Sequence, residues 1–145
     1  MLIGQFKSKL TDKDRLAVPK KFRSDLGNNL IIARWYENCL VLVSHRGWSK
    51  LQRRLQGKSD LIISPRRDIE RFIMALAFEI NLDDQGRFVL PEILKQFSGI
   101  KNEVVFVGLY DRVEIWDKDR WDKLEEQIGK KANQAIDEIA KLDLG

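Results

Sequence analysis

Cysteine and histidine are almost missing from this chain: its 145 residues include Cys39 alone and His45 alone. One thiol cannot close an internal disulfide, and one thiol beside one imidazole cannot make a set of zinc ligands. Cys39 stands inside the apolar run Cys39-Leu40-Val41-Leu42-Val43, which assigns it to core packing. His45 follows that run with no Ser, Cys or second His at a spacing that suggests a nucleophile or a metal site, so a structural or solvent-facing role is expected. The nine glycines are scattered, and none of them forms a phosphate-cradling or dinucleotide loop. No apolar run approaches the roughly 20 residues that cross a bilayer, and no charged-then-apolar leader opens the sequence. The expected location is therefore the cytoplasm. Asp83-Asp84 is an adjacent carboxylate pair, but neighbours in a strand or turn point apart, so a turn role is expected over acid/base work. An enzyme reading finds no constellation to carry it, and no cofactor or metal is expected.

What is present is a globular composition with segregated charge. Apolar residues make up 43%, with four Trp and seven Phe, which is enough for a packed core. The net charge of +4 is uneven: residues 1–75 hold 16 Lys and Arg against 7 Asp and Glu, and the remainder holds 10 against 15. The first half is thus +9 and the second −5. Such asymmetry suits a molecule that meets a polyanion at one end and solvent or a partner at the other.

The strongest signal is an internal repeat. The stretch from Thr11 to Pro19 aligns, 72 residues later, with that from Asp83 to Pro91. Asp12 matches Asp84, Arg15 matches Arg87, Pro19 matches Pro91 and Gly27 matches Gly99; with the offset changed by one, Trp48, Lys50 and Leu51 match Trp121, Lys123 and Leu124. Each copy reads as an extended segment (Gly4 to Leu10, Ala77 to Leu82), a polar turn, and a short apolar strand opened by Arg15 or Arg87. Pro19 and Pro91 stop that strand and start short helices, Lys20 to Leu26 and Glu92 to Phe97, which end at Gly27 and Gly99. Two strands follow in each copy: Leu30 to Arg34 with Cys39 to Val43, and Glu103 to Val107 with Arg112 to Trp116. Trp48, Leu51 and Leu55 then have helical spacing. Ser64-Pro65 reads as an N-cap and first helical residue, opening a helix with Ile69, Phe72, Ile73 and Leu76 on one side. Trp121, Leu124, Ile128, Ala135, Ile139 and Leu142 continue a helical face to the last residues, with Gly129 a local weakness. The organisation expected is a first repeat at 5–47, connecting helices at 48–75, a second repeat at 76–119 and a C-terminal helix at 120–145. A unit of about 45 residues is too small to bury a core alone, so the two are expected to pack together or with other subunits.

Positive charge concentrates around the first turn, where Lys7, Lys9, Lys13 and Arg15 are followed by Lys20, Lys21 and Arg23. Lys7 and Lys9 share one face of a strand, and Arg15 stands where the turn re-enters the sheet. A guanidinium there can grip phosphate oxygens or the O6/N7 edge of guanine with two parallel bonds; alternatively Arg15 braces the turn against Asp12 or Asp14.

Each copy resembles the SpoVT/AbrB-type swapped-hairpin unit, and their tandem arrangement after Met1-Leu2-Ile3-Gly4 resembles the MraZ family over nearly the whole chain. The residues that carry the resemblance are a turn motif, Asp-x-x-x-Arg before an apolar strand and Pro, once per copy. Asp83, Asp84, Gly86 and Arg87 supply it in the second copy; in the first, Asp12, Lys13, Arg15 and Pro19 fit, with Thr11 at the Asp position and Asp14 at the Gly position. The segments Gly108 to Trp116 and Arg120-Trp121 are similar to the family as well. The resemblance implies an α+β fold, with the two swapped-hairpin units packed as a pseudo-two-fold pair and flanked by helices. It implies a DNA-binding transcriptional regulator, a repressor of the division and cell wall gene cluster, acting on short direct repeats in double-stranded DNA of its own promoter region. It further implies association with the nucleoid and assembly into closed rings of about eight to twelve subunits. Carried over to this chain, Arg15 is the principal DNA contact, with Lys13, Lys7 and Lys9 as phosphate contacts, while Arg87 either is structural or meets a neighbouring subunit. Thr11 removes the carboxylate that would hold Arg15, so Asp12 or Asp14 replaces it or Arg15 is held more loosely. A protein-interaction or antitoxin-like module, with DNA contact secondary, is the competing expectation.

Overall fold

The computed structural model describes residues 1–56 and 64–144. Part of the connecting segment expected at 48–75, namely residues 57–63, therefore lies outside the described residues, as does the expected capping side chain of Ser64. Among the described residues the chain is a mixed α+β structure. The strands are β1 (Leu2–Lys9), β2 (Arg15–Ala17), β3 (Asn29–Arg34), β4 (Leu40–Ser44), β5 (Phe78–Asn81), β6 (Arg87–Val89), β7 (Glu103–Tyr110) and β8 (Val113–Asp117). The helices are α1 (Lys20–Leu26), α2 (His45–Gln56), α3 (Ser64–Met74), α4 (Glu92–Ser98) and α5 (Lys118–Leu144).

Six strands form one antiparallel sheet in the order β1-β7-β8-β4-β3-β5, and β2 pairs with β6 in a separate two-stranded ribbon. The runs Leu30 to Ala33 of β3 and Leu40 to Val43 of β4 are apolar because both faces of the main sheet are covered. Leu30, Ile32, Leu40 and Leu42 point into a core shared with Leu16, Phe22, Phe88 and Phe106. The alternate residues Ile31, Ala33, Val41 and Val43 point into a second core with Leu51, Ile73, Trp116 and Trp121. The ribbon with α1 and α4 thus covers one face, and α2, α3 and α5 cover the other.

The strand order shows how the two copies depend on each other. β1, from the first copy, is hydrogen-bonded to β7 of the second, with Phe6 opposite Phe106. β5, from the second copy, is hydrogen-bonded to β3 of the first, with Phe78 opposite Ile32. The bonds just beyond these strands match as well: the Leu10 N–H donates to the Asn102 carbonyl, and the Leu82 N–H to that of Asn28. Neither copy closes its own sheet.

The short helices α1 and α4 start after Pro19 and Pro91, as expected, and stop at Gly27 and Gly99, whose N–H groups return to the carbonyls of Arg23 and Gln96. One expectation needs correction. Leu76 does not extend the apolar face of α3, because that helix ends at Met74; Leu76 belongs to the approach to β5 and packs against the core containing Phe22 and Phe106. Ile69, expected on the same side of the helix as Phe72 and Ile73, is exposed. α3 is tied to β3 by Arg34, whose guanidinium lies 4.2 Å from the centre of the Phe72 ring while its Nε donates to the Phe72 carbonyl at 2.8 Å. α5 is anchored by Trp121, whose Nε1 donates to Gln5 Oε1 of β1 at 3.0 Å, and by Glu125, which accepts from the same Gln5 amide.

A candidate nucleic-acid interface

The repeat motif forms two tight turns, Thr11–Asp14 and Asp83–Gly86, held by the same backbone bonds. The Thr11 N–H donates to the Arg15 carbonyl at 3.0 Å, and the Asp83 N–H to that of Arg87 at 2.9 Å. The fourth residue of each turn is left-handed, with φ of 58° at Asp14 and 75° at Gly86. Asp and Gly are among the residues that accept this region most readily, which is why Asp14 can stand where the motif has glycine. Each turn is also bonded to the other copy. The Val18 N–H donates to the Gly86 carbonyl at 2.9 Å, and the Leu90 N–H donates to the Asp14 carbonyl at 2.7 Å. The ribbon β2–β6 therefore holds both turns in a fixed relation, with Leu16 and Phe88 facing the core and Arg15, Ala17, Arg87 and Val89 facing away from it.

The two motif arginines differ. Arg87 Nε donates to Asp83 Oδ2 at 3.1 Å, and Asp83 Oδ1 accepts from the backbone N–H groups of Gln85 and Arg87, each at 2.9 Å. The Arg87 N–H chiefly, then the Gln85 N–H and the Arg87 guanidinium, hold the Asp83 carboxyl below the usual carboxylate range. In the first copy Thr11 performs the backbone part, its Oγ1 accepting from the Arg15 N–H at 3.0 Å, but it offers nothing to the guanidinium. Asp14 does not replace the missing carboxylate. It pairs across the copies with Lys95 Nζ at 3.0 Å, a bond that raises the Lys95 ammonium above its ordinary range. Asp12 is exposed and does not bond to Arg15, so among the described residues the Arg15 guanidinium has no ion pair or hydrogen bond. Of the alternatives left open by the sequence, neither Asp12 nor Asp14 takes the place of the missing carboxylate.

Lys13 is exposed at the tip of the first turn. Lys7 and Lys9 are exposed on one side of the edge strand β1, as their spacing implies, but it is the side on which Gln5 meets α5. They are joined to the Arg15 surface through the turn and do not share its outward face. Asp84 is exposed beside Asp83 and takes no part in the turn's side-chain bonding.

Two contacts escaped the sequence reading. Lys21 lies 5.6 Å from the centre of the Phe6 ring, which places a further exposed cation of α1 beside β1. Arg23 lies so close to Gly86 that a Cβ there would be 2.1 Å from its Nη1. Its Nε is buried without a partner. The repeat offset contained a clue to this pair, since Arg23 and Gly86 occupy the positions equivalent to Lys95 and Asp14. In each copy's turn, a cation from the other copy's helix lies over the fourth residue.

The structure so far defines a class: a two-copy α+β protein whose duplicated turn is cationic and open in one copy and internally paired in the other. Comparison with known proteins gives the particular family. The family model described as "MraZ protein, putative antitoxin-like" matches residues 1–71 and again residues 73–144. Proteins named "Transcriptional regulator MraZ" from Natranaerobius thermophilus and Oenococcus oeni are each 33% identical over 144 residues, covering 99% of this chain and 100% of the relative. One of the same name from Caldicellulosiruptor bescii is 36% identical over 141 residues, covering 97% of this chain and 95% of the relative. The chain belongs to the MraZ family. Among the described residues no group of three or more His, Cys, Asp or Glu side chains could hold a metal ion, and no helix is long and apolar enough to cross a membrane.

Proposed function

We propose that this protein is a sequence-specific DNA-binding transcriptional regulator, and that the first-copy turn is its DNA-contacting element. The observation that carries the reading is the difference between Arg15 and Arg87. One guanidinium is unpaired on a turn with exposed Lys13; the other is committed to Asp83. In this reading Arg15 enters a groove or clamps phosphate, Lys13 supports it at the turn, and Lys7 and Lys9 follow the backbone along β1. Asp12 and Asp14 shape the first turn. Asp83, Asp84 and Gly86 shape the second, so that Arg87 is structural or meets a neighbouring subunit. The names of the relatives favour a regulator, a role in which binding is the whole activity.

The finer reading is a repressor of the division and cell wall gene cluster, acting on direct repeats in its own promoter region from the nucleoid. The exchanged strands β1 and β5 support two SpoVT/AbrB-like swapped-hairpin units related by a pseudo-two-fold axis, at 5–47 and 76–119. One turn holds few charges, and a few phosphate contacts bind weakly at physiological salt, whereas a ring of about eight to twelve copies on repeated sites gains avidity. The test is binding of the wild type and Arg15→Ala to the DNA upstream of the protein's own gene across a salt series, with the oligomer mass of both measured. Binding that falls steeply with salt and is lost in the variant at unchanged mass supports the reading. Equal binding by both proteins removes Arg15 from the interface, and absence of binding by either moves the function to protein interaction.

A further inference from the structure

α5 is far longer than the surface it covers. Its 27 residues span about 40 Å, and only Trp121 and Leu124, near its start, pack against the sheet core. From Glu125 to Asp143 every residue is exposed except the half-exposed Ala132. This outer portion still carries an apolar stripe. Ile128, Ala132, Ala135, Ile139 and Leu142 follow one another at alternating steps of four and three residues, the a/d pattern of a helix that packs against another helix. Ile128, Ile139 and Leu142 are 50%, 59% and 79% exposed.

We propose that the part of this stripe from Ile128 to Ile139 pairs antiparallel with the same part of a second copy, about a two-fold axis between Asn133 and Gln134, with Leu142 lying beyond the paired segment. The pattern on either side of the stripe selects both the occupant and its direction. In the antiparallel alignment Ile128 lies across from the partner's Ile139, and Ala132 across from the partner's Ala135, so small side chains meet at the centre and large ones outside. Lys131 falls beside the partner's Glu138, and by symmetry Glu138 beside the partner's Lys131. Within the protomer Lys131 has no ionic partner among the described residues, and Glu138 accepts only a 3.4 Å bond from the Gln134 amide. On the opposite flank Ile136, 64% exposed, meets the partner's Gly129, where a Cβ would find no atom within 4 Å in the single chain. Gly129 is thus a notch for Ile136. Parallel pairing would instead place Glu138 against the partner's Asp143, two like charges. A contact of this kind is isologous and closes on itself, so it joins copies in pairs and cannot by itself build a ring. α5 leaves from the sheet face opposite the β2–β6 ribbon, and pairing therefore leaves Arg15 uncovered.

Cysteine cross-linking of the full chain tests both occupant and direction. The two sites Ile128 and Ile139 are about 16 Å apart on one helix and cannot bridge internally. The double variant Ile128→Cys/Ile139→Cys is expected to give disulfide-linked dimers on oxidation, and neither single variant should. Dimers from the single variants would show parallel pairing, and no dimer from the double variant would show that some other surface covers the stripe; either result overturns the proposal. Lys131→Glu is expected to weaken self-association about tenfold at low salt, as measured by sedimentation, and adding Glu138→Lys to restore it. Failure of the double charge reversal to restore association equally rejects the alignment.

Discussion

Phe106→Ala offers a direct test of the dependence of each copy on the other. Phe106 is fully buried in the middle of β7, opposite Phe6 of the first copy. Truncating a phenylalanine in such a site costs about 3–5 kcal/mol, from lost transfer free energy and the cavity left behind. A chain of this length has an unfolding entropy near 0.3 kcal/mol per degree, so the melting temperature should drop by about 10–15 °C. The location of the loss is more informative than its size. Because β1 completes the sheet of the second copy and β5 that of the first, a weakened β7 should lower protection everywhere in the core. Native-state hydrogen exchange is the assay. The amides of β3 and β4, which belong to the first copy, are expected to lose protection in parallel with those of β7 and β8. If β3 and β4 retain wild-type protection while β7 and β8 open, the copies are separate folding units and the reasoning from strand order is wrong.

Three further outcomes follow from local geometry. Gly86→Ala combines a left-handed φ with a Cβ inside the Arg23 side chain, so a loss of about 1–3 kcal/mol is expected in denaturant titrations; adding Arg23→Ala should recover part of it, and strict additivity would exclude the contact. The Asp83 carboxyl is held below its ordinary 3.8, so the stability it confers is complete above pH 3.8 and disappears as pH falls through the lower folded value. Wild type should therefore exceed Asp83→Asn in stability near neutrality, and the gap should close in acid; a gap that is constant with pH would refute the assignment. Burial pushes the Cys39 thiol well above the ordinary cysteine range, so the native protein should resist a thiol reagent at pH 8 and react at a rate set by opening of the core; immediate labelling would contradict the packing.

Much of this architecture is visible in the sequence because punctuation and periodicity act locally. Pro19 with Gly27 and Pro91 with Gly99 mark α1 and α4, and the 72-residue repeat marks the two turns before any contact is known. What is not visible depends on partners distant in the chain. The runs Leu30 to Ala33 and Leu40 to Val43 show burial without saying that two different cores receive alternate residues. Helical spacing placed Leu76 on α3 because it lies three residues past Ile73, yet the chain turns at Ala75 to enter β5. The turn motif identified Arg15 as a candidate but not its freedom, which depends on Lys95 drawing Asp14 away from 81 positions along the chain. The spacing of Lys7 and Lys9 puts them on one side of a strand; which side follows only from the contact of Gln5 with Trp121.

Covalent linkage of the two copies has a consequence for how such a surface can change. In a symmetric dimer of a single unit, every substitution occurs on both turns, so a residue that suits one role is imposed on the other. Here lysines 7, 13, 20 and 21 stand where Glu79, Gln85, Glu92 and Ile93 stand in the other copy, and Thr11 stands where Asp83 does. Duplication within one chain lets one half of the surface carry cations where the other half carries none, while both halves share the same backbone bonds.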